Sequence, residues 1–212
     1  MAWGGDLSAE RLLLAYRWGI FPWFDEDPVQ WFFMSPRPII TAETLYTSKS
    51  MRRLIRRRPW RVTLDHDFST VMDHCAQITR HGQEGTWING DMMVAYKHLH
   101  QLGQAHSIEV WDNEEMIGGF YGVLVGSIFC GESMFALRSN ASKYAFLIGA
   151  SYLFDQGVLL IDCQQDTAHM KTLGTQLAQY DEWITLLRQN LLKRTIQMDP
   201  TVLLDPLHHL DK

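Results

Sequence analysis

Val158-Leu159-Leu160-Ile161-Asp162-Cys163-Gln164-Gln165-Asp166-Thr167-Ala168-His169 follows Gly157 and changes character abruptly after its fourth residue. Four consecutive apolar side chains read as a strand buried on both faces. The polar run that starts at Asp162 falls at the C-terminal end of that strand, a place where reactive groups gather. Side chains alternate across a strand, so Asp162 and Gln164 are expected on one face and Cys163 on the other. A carboxylate and a carboxamide then address one substrate group together. An equally simple reading makes these polar residues the cap of a following helix.

The rest of the chain sets limits on that strand. With 212 residues, one large domain or a domain with a small appendage is expected, large enough to bury a real core. Cys75, Cys130 and Cys163 are spaced neither as a zinc pattern nor as a paired framework, which suits a reducing compartment. No basic-then-apolar leader opens the sequence and no run reaches the roughly 18 apolar residues of a membrane span, so a cytoplasmic protein is expected. Net charge is −5, yet Lys49 to Arg61 holds six arginines and no acid, leaving room for a local anion site.

In order along the chain, Ser8 caps a helix to Trp18, and Gly19 ends it. Gly19 to Arg37 packs six aromatic residues and three prolines into 19 positions and reads as a loop without regular structure. Its rings form either a hydrophobic cluster of their own or a stacking surface for bases. Ser50 caps a helix over Met51–Arg57 and a strand follows over Trp60–Leu64. On that helix Arg52, Arg53, Arg56 and Arg57 are either a solvated face or, because arginine pairs two oxygens at once, a phosphate-binding face. Helices are expected over Asp67–Ala76 and Asp91–Leu102, with the short apolar piece Gly85-Thr86-Trp87-Ile88 between them.

From Ala105 the period becomes two. Ser107–Trp111 and Met116–Val125 form a hairpin turning at Asp112-Asn113-Glu114, with Gly118-Gly119 marking a bulge or a close backbone approach. A third strand, Ser127–Phe135, carries Glu132 where a core strand places no charge. Asn140 caps an apolar helix to Gln156. After the strand quoted first come a short helix over Thr167–Leu173 and an amphipathic one over Tyr180–Leu192. The plan is α+β, one mixed central sheet flanked by helices. Phosphate-binding loops, dinucleotide glycine fingerprints, zinc-protease and serine-elbow motifs are all missing from the sequence. His98 and His100 fall on different faces of a helix, so no metal is expected.

Taken together, Gly-Gly-Asp-Leu-Ser from Gly4, Ala-Tyr-Arg-Trp-Gly-Ile-Phe-Pro-Trp-Phe from Ala15, Gly-Thr-Trp-Ile from Gly85, Ala-His-Ser-Ile-Glu-Val-Trp from Ala105, Phe-Cys-Gly-Glu-Ser-Met-Phe from Phe129, Asn-Ala-Ser-Lys from Asn140 and Ile-Asp-Cys-Gln from Ile161 resemble the leucyl/phenylalanyl-tRNA-protein transferases, in that family's order. The resemblance implies a GNAT-like acyltransferase core over residues 39–212, preceded by a small N-terminal domain over residues 1–38, shorter than is usual in the family. It implies transfer of Leu, Phe or Met from aminoacyl-tRNA to proteins beginning with Arg or Lys, which marks them for degradation. It departs from the family pattern at Trp31-Phe32-Phe33-Met34-Ser35-Pro36-Arg37 and at Leu177 to Tyr180, which bears on the choice of acceptor.

The same resemblance assigns roles. Asp162 and Gln164 position the acceptor amine and Glu132 holds the donor's amino group. Trp23 and Trp87 flank the terminal adenosine, and Phe120, Met134, Phe146, Leu153 and Ile161 line the side-chain pocket. Because an aminoacyl ester is already activated, no cofactor is expected, only a neutral amine held against the carbonyl. Two other classes stay open. A CoA-dependent acyltransferase of the same fold needs an Arg/Gln-x-x-Gly-x-Gly/Ala turn, which the sequence lacks, and a non-catalytic tRNA binder has no use for Asp-Cys-Gln, which is intact.

Overall fold

Ser48, rather than Ser50, begins the arginine-rich helix: its hydroxyl accepts from Met51 N at 3.3 Å, and the backbone turns left-handed at Arg58, ahead of Pro59. Local rules of this kind set most elements of the computed structural model, which describes residues 1–78, 88–199 and 202–207. In chain order the described elements are β1 (Ala2–Trp3), α1 (Ala9–Arg17), β2 (Phe21–Pro22), β3 (Gln30–Phe32), β4 (Arg37–Ile40), α2 (Lys49–Arg57), β5 (Arg61–Leu64), α3 (Phe68–Gln77) and α4 (Gly90–Gln101). They continue with β6 (Ala105–Asp112), β7 (Glu115–Val125), β8 (Ile128–Ala136), α5 (Ala141–Asp155), β9 (Leu160–Asp162), α6 (Ala168–Lys171), β10 (Gln176–Ala178) and α7 (Tyr180–Leu191). The hairpin and the helices fall within a residue or two of the sequence expectation at each end.

Three expectations change. The aromatic stretch is not wholly irregular: Pro22 ends β2, Pro28 and Pro36 fall outside β3, and β3 pairs with β1 on one side and β2 on the other in a small three-stranded sheet. The strand at Val158 is shorter than its apolar run: only Leu160–Asp162 pair, and Leu159 is 41% exposed. Asn140 stands at the head of α5 with positive φ and makes no side-chain cap.

The large sheet runs β10-β4-β9-β8-β7-β6-β5 and is antiparallel except between β8 and β9. That one parallel pair requires a crossover, which α5 supplies. The mixed sheet has a hydrophobic core on each face. One packs α1, α3, α4, α7 and the aromatic residues of the small sheet; the other packs α2 and α5. The head of α5 comes unusually close to the sheet at Gly118, where a Cβ would stand 2.6 Å from that of Ala141.

β8 carries a bulge. Tyr121 pairs with Ser133 but Gly122 pairs with Gly131, so Glu132 is one residue more on β8 than β7 can match. The glutamate interrupts the ladder and turns its side chain among α1 and α4.

Candidate active site

Because β9 ends at Asp162, opposite Cys130, while β8 continues to Ala136, one edge of β8 is left without a partner strand. A cavity of about 800 Å³ opens there, lined by every residue from Gly131 to Ala136. Phe120, Met134, Phe146 and Ile161 make an apolar wall; Phe21, Pro22 and Trp23 of the small sheet approach from another side. Trp23 is half-buried and meets Phe32 edge to face at 5.6 Å, so the aromatic stretch both packs on itself and presents a ring to the cavity.

The polar end is a chain of hydrogen bonds drawn from distant places in the fold. Gln164 Nε2 donates to Glu132 Oε1 at 2.7 Å. Tyr96 of α4 donates to Glu132 Oε2 at 3.2 Å and is itself in hydrogen-bond contact with Tyr16 of α1. Burial pushes the Glu132 carboxyl up to about 7, with the bonds from Tyr16, Gln164 and Tyr96 pulling the other way. A carboxylate so placed gains most from a cation: an ammonium group in the cavity would be met by a negative charge that water does not screen.

Asp162 stands behind this row rather than in it. Its two oxygens take Arg37 Nε and Nη2 at 2.7 Å each, and both side chains are buried, at 0% and 1% exposed. The guanidinium lies against Phe21 and Trp183, with its carbon 4.9 and 5.2 Å from the ring centres. Asp162 Oδ1 also accepts from Gln164 N at 2.9 Å. Thus the expectation that Asp162 and Gln164 share a strand face does not hold. The strand has ended, and Gln164 takes a left-handed φ of 57°, which swings its carboxamide to Glu132 while Asp162 stays with Arg37.

The other assigned residues divide as follows. Gln164, Glu132, Trp23, Phe120, Met134, Phe146 and Ile161 come together around the cavity. Leu153 does not: two turns beyond Phe146 on α5, it is fully buried in the core and off the cavity wall. Trp87 lies outside the described residues. Arg52, Arg53, Arg56 and Arg57 are exposed on α2, opposite the buried Met51 and Ile55, and none of the four is in an ion pair among the described residues.

Four residues of the site had no role in the sequence reading: Arg37, Tyr16, Tyr96 and His169. Tyr16 and Tyr96 look like ordinary members of apolar helix faces, and only the position of Glu132 reveals their hydroxyls. His169 lines the cavity with a buried Nε2 that has no partner among the described residues. Burial, with Lys143 adding, holds its pKa below the usual histidine value, so it is neutral at pH 7. Cys163 also lines the cavity, but burial pushes its thiol well up, which leaves it a poor nucleophile.

The apolar cavity ends in a buried carboxylate and a carboxamide, groups suited to holding an amine, which fits an enzyme acting on an amine-bearing substrate. Comparison with known proteins agrees with that class. The family model for leucyl/phenylalanyl-tRNA protein transferase matches residues 39–188, and the model for the N-terminal domain of the same proteins matches residues 5–33. The leucyl/phenylalanyl-tRNA–protein transferase of Citrobacter koseri is 48% identical over 196 residues, covering 91% of this chain and 82% of its own length. Those of Shewanella loihica and Flavobacterium johnsoniae are 47% and 45% identical over 89% of this chain, and over 80% and 89% of their own lengths. Among solved structures, the L-PGS of Bacillus licheniformis is 12% identical with a TM-score of 0.41, over 73% of this chain and 49% of its own, too faint a likeness to argue from. The chain belongs to the leucyl/phenylalanyl-tRNA protein transferase family, whose members are aminoacyltransferases.

Proposed function

We propose that this protein moves Leu, Phe or Met from aminoacyl-tRNA to the α-amine of proteins beginning with Arg or Lys, and that the product is thereby marked for degradation in the cytoplasm. The observation that carries the reading is the 2.7 Å contact of Gln164 with Glu132 at the polar end of an apolar cavity. The donor's side chain enters among Phe120, Met134, Phe146 and Ile161, and its ammonium group meets Glu132. Trp23 offers a face to the terminal adenine. With Nε2 turned to Glu132, the Gln164 side-chain oxygen is the atom left to accept from the acceptor amine.

In the transfer itself, the amine nitrogen bonds to the ester carbonyl carbon and the bond from that carbon to the ribose oxygen breaks. The proton leaving the amine ends on the ribose hydroxyl. Gln164 does not titrate near neutral pH, so it aligns the amine and does not take its proton. Asp162 is a positioning residue: through Gln164 N it fixes the left-handed turn that aims the carboxamide. We place the tRNA stem along α2, whose arginines supply phosphate contacts without reading bases. We also read the core over residues 39–212 as GNAT-like and residues 1–38 as a small separate domain. The test is to mix labelled Phe-tRNA with a peptide beginning in Arg: labelled peptide is expected, and its absence, with intact donor remaining, would overturn the proposal.

A further inference from the structure

Gln164 borders two cavities. Besides closing the donor cavity, it lines a second one of about 440 Å³, and it is the one residue common to both linings. The second cavity is walled by Phe33, Met34, Pro36 and Leu177, with Asp166 as its one carboxylate. The fold holds these walls in place: Leu177 of β10 pairs with Pro38 of β4, and Phe33 is braced edge to face by Tyr180 at the head of α7, 6.0 Å between ring centres.

Two substrates that react at one point need two approaches to it. A side chain that suits the second approach has a long apolar stem, to lie along Phe33, Met34 and Leu177, and a positive end, to reach Asp166. We propose that this cavity receives the first side chain of the acceptor and that Asp166 selects a cationic one; the assignment rests on the transfer reading given above. Asp166 is held at present by Lys171 Nζ at 2.9 Å, in a pair whose side chains are 34% and 60% exposed. Exposed pairs of that kind contribute little, so a guanidinium or ammonium arriving with an apolar stem displaces the lysine.

The experiment uses the full chain, labelled Phe-tRNA and peptides that differ only in their first residue, Arg or its neutral isostere citrulline. The unaltered protein is expected to show the lower KM for the Arg peptide. Asp166→Asn should raise that KM about 5-fold, leave the citrulline KM in place and so close the gap, with kcat and the Kd for Phe-tRNA held. Asp166→Lys should raise the Arg KM further, again sparing citrulline. If the unaltered protein transfers to both peptides and Asp166→Asn moves both KM values alike, or neither, the cavity is not the acceptor site. If it transfers to neither, the transfer reading falls, and this assignment with it.

Discussion

Replacing Asp162 with Asn keeps the shape of the side chain and removes its charge, and the structure says where the effect falls. Arg37 and Asp162 are both buried and are joined by two hydrogen bonds of 2.7 Å. The substitution would leave a guanidinium in the core with no counter-charge. Removing one member of a buried pair costs about 3–5 kcal/mol, because the remaining charge keeps its desolvation penalty. For a chain of this size that lowers the thermal midpoint by on the order of 10 °C. Activity falls as well, since Gln164 N loses part of its acceptor and the turn at φ 57° is less well held. The companion variant Asp162→Asn with Arg37→Met removes both charges and should recover most of the stability while leaving the rate low. Calorimetry with single-turnover transfer on the three proteins makes the test. An unchanged midpoint in Asp162→Asn, or a double variant no more stable than the single one, would refute the account of Asp162 as the partner of Arg37.

Other expectations follow from the same geometry. Transfer by the unaltered protein should rise with pH through about 7 as Glu132 ionises, and Glu132→Gln should lose that limb in a pH–rate profile. Gln164→Glu sets a second carboxylate against Glu132, which raises one of the two pKa values and should move the limb upward. Burial lifts Glu132 and Glu109 alike from 4.5 to about 7, so folding favours their protonated forms; their contribution is whole below about 4.5 and is lost as pH rises through about 7, on the order of 3 kcal/mol each, to be read as a falling thermal midpoint between about pH 5 and about pH 8. Gly118→Ala should destabilise by about 1–3 kcal/mol in denaturant titration, its Cβ falling 2.9 Å from the backbone carbon of Ala141. Replacing Arg53 and Arg56 with Ala should weaken tRNA binding and flatten its salt dependence while leaving transfer from a minimal aminoacyl-adenosine donor in place.

Sequence patterns carried the hairpin, the long helices and the mixed sheet because those elements follow from local period; the caps were less legible, since Ser8 and Asn140 make no side-chain cap while Asp67 and Asn89, not singled out as caps in the sequence, accept from Thr70 N and Met92 N. They carried less of β4 and β10, which are only a few residues long and exist because each pairs with a neighbour distant in sequence. In the site, Glu132 was legible as a charge out of place in an apolar strand, and Gln164 as part of the polar run at the end of another. The partner of Asp162 was not, because Arg37 lies 125 positions away and nothing local marks it for burial. Alternation also misled at Gln164, since a period of two holds only while the chain stays extended.

The extra residue in β8 acts as a phase slip. Ahead of it, Cys130 faces the layer of α3 and α4 and Phe129 faces α5; beyond it, Phe135 faces the first layer and Met134 the second, so odd and even positions have exchanged sides. A deletion of Glu132 would therefore remove the carboxylate and the bulge together while leaving the flanking strand in step. It would restore an unbroken count, with Gly131 still opposite Gly122 and Ser133 still opposite Tyr121, so Met134 and Phe135 would keep both their layers and their partners on β7. The extra residue thus brings a charged group into an apolar layer while the strand on either side of it stays in step with β7, so the carboxylate and the apolar wall are separable features of β8.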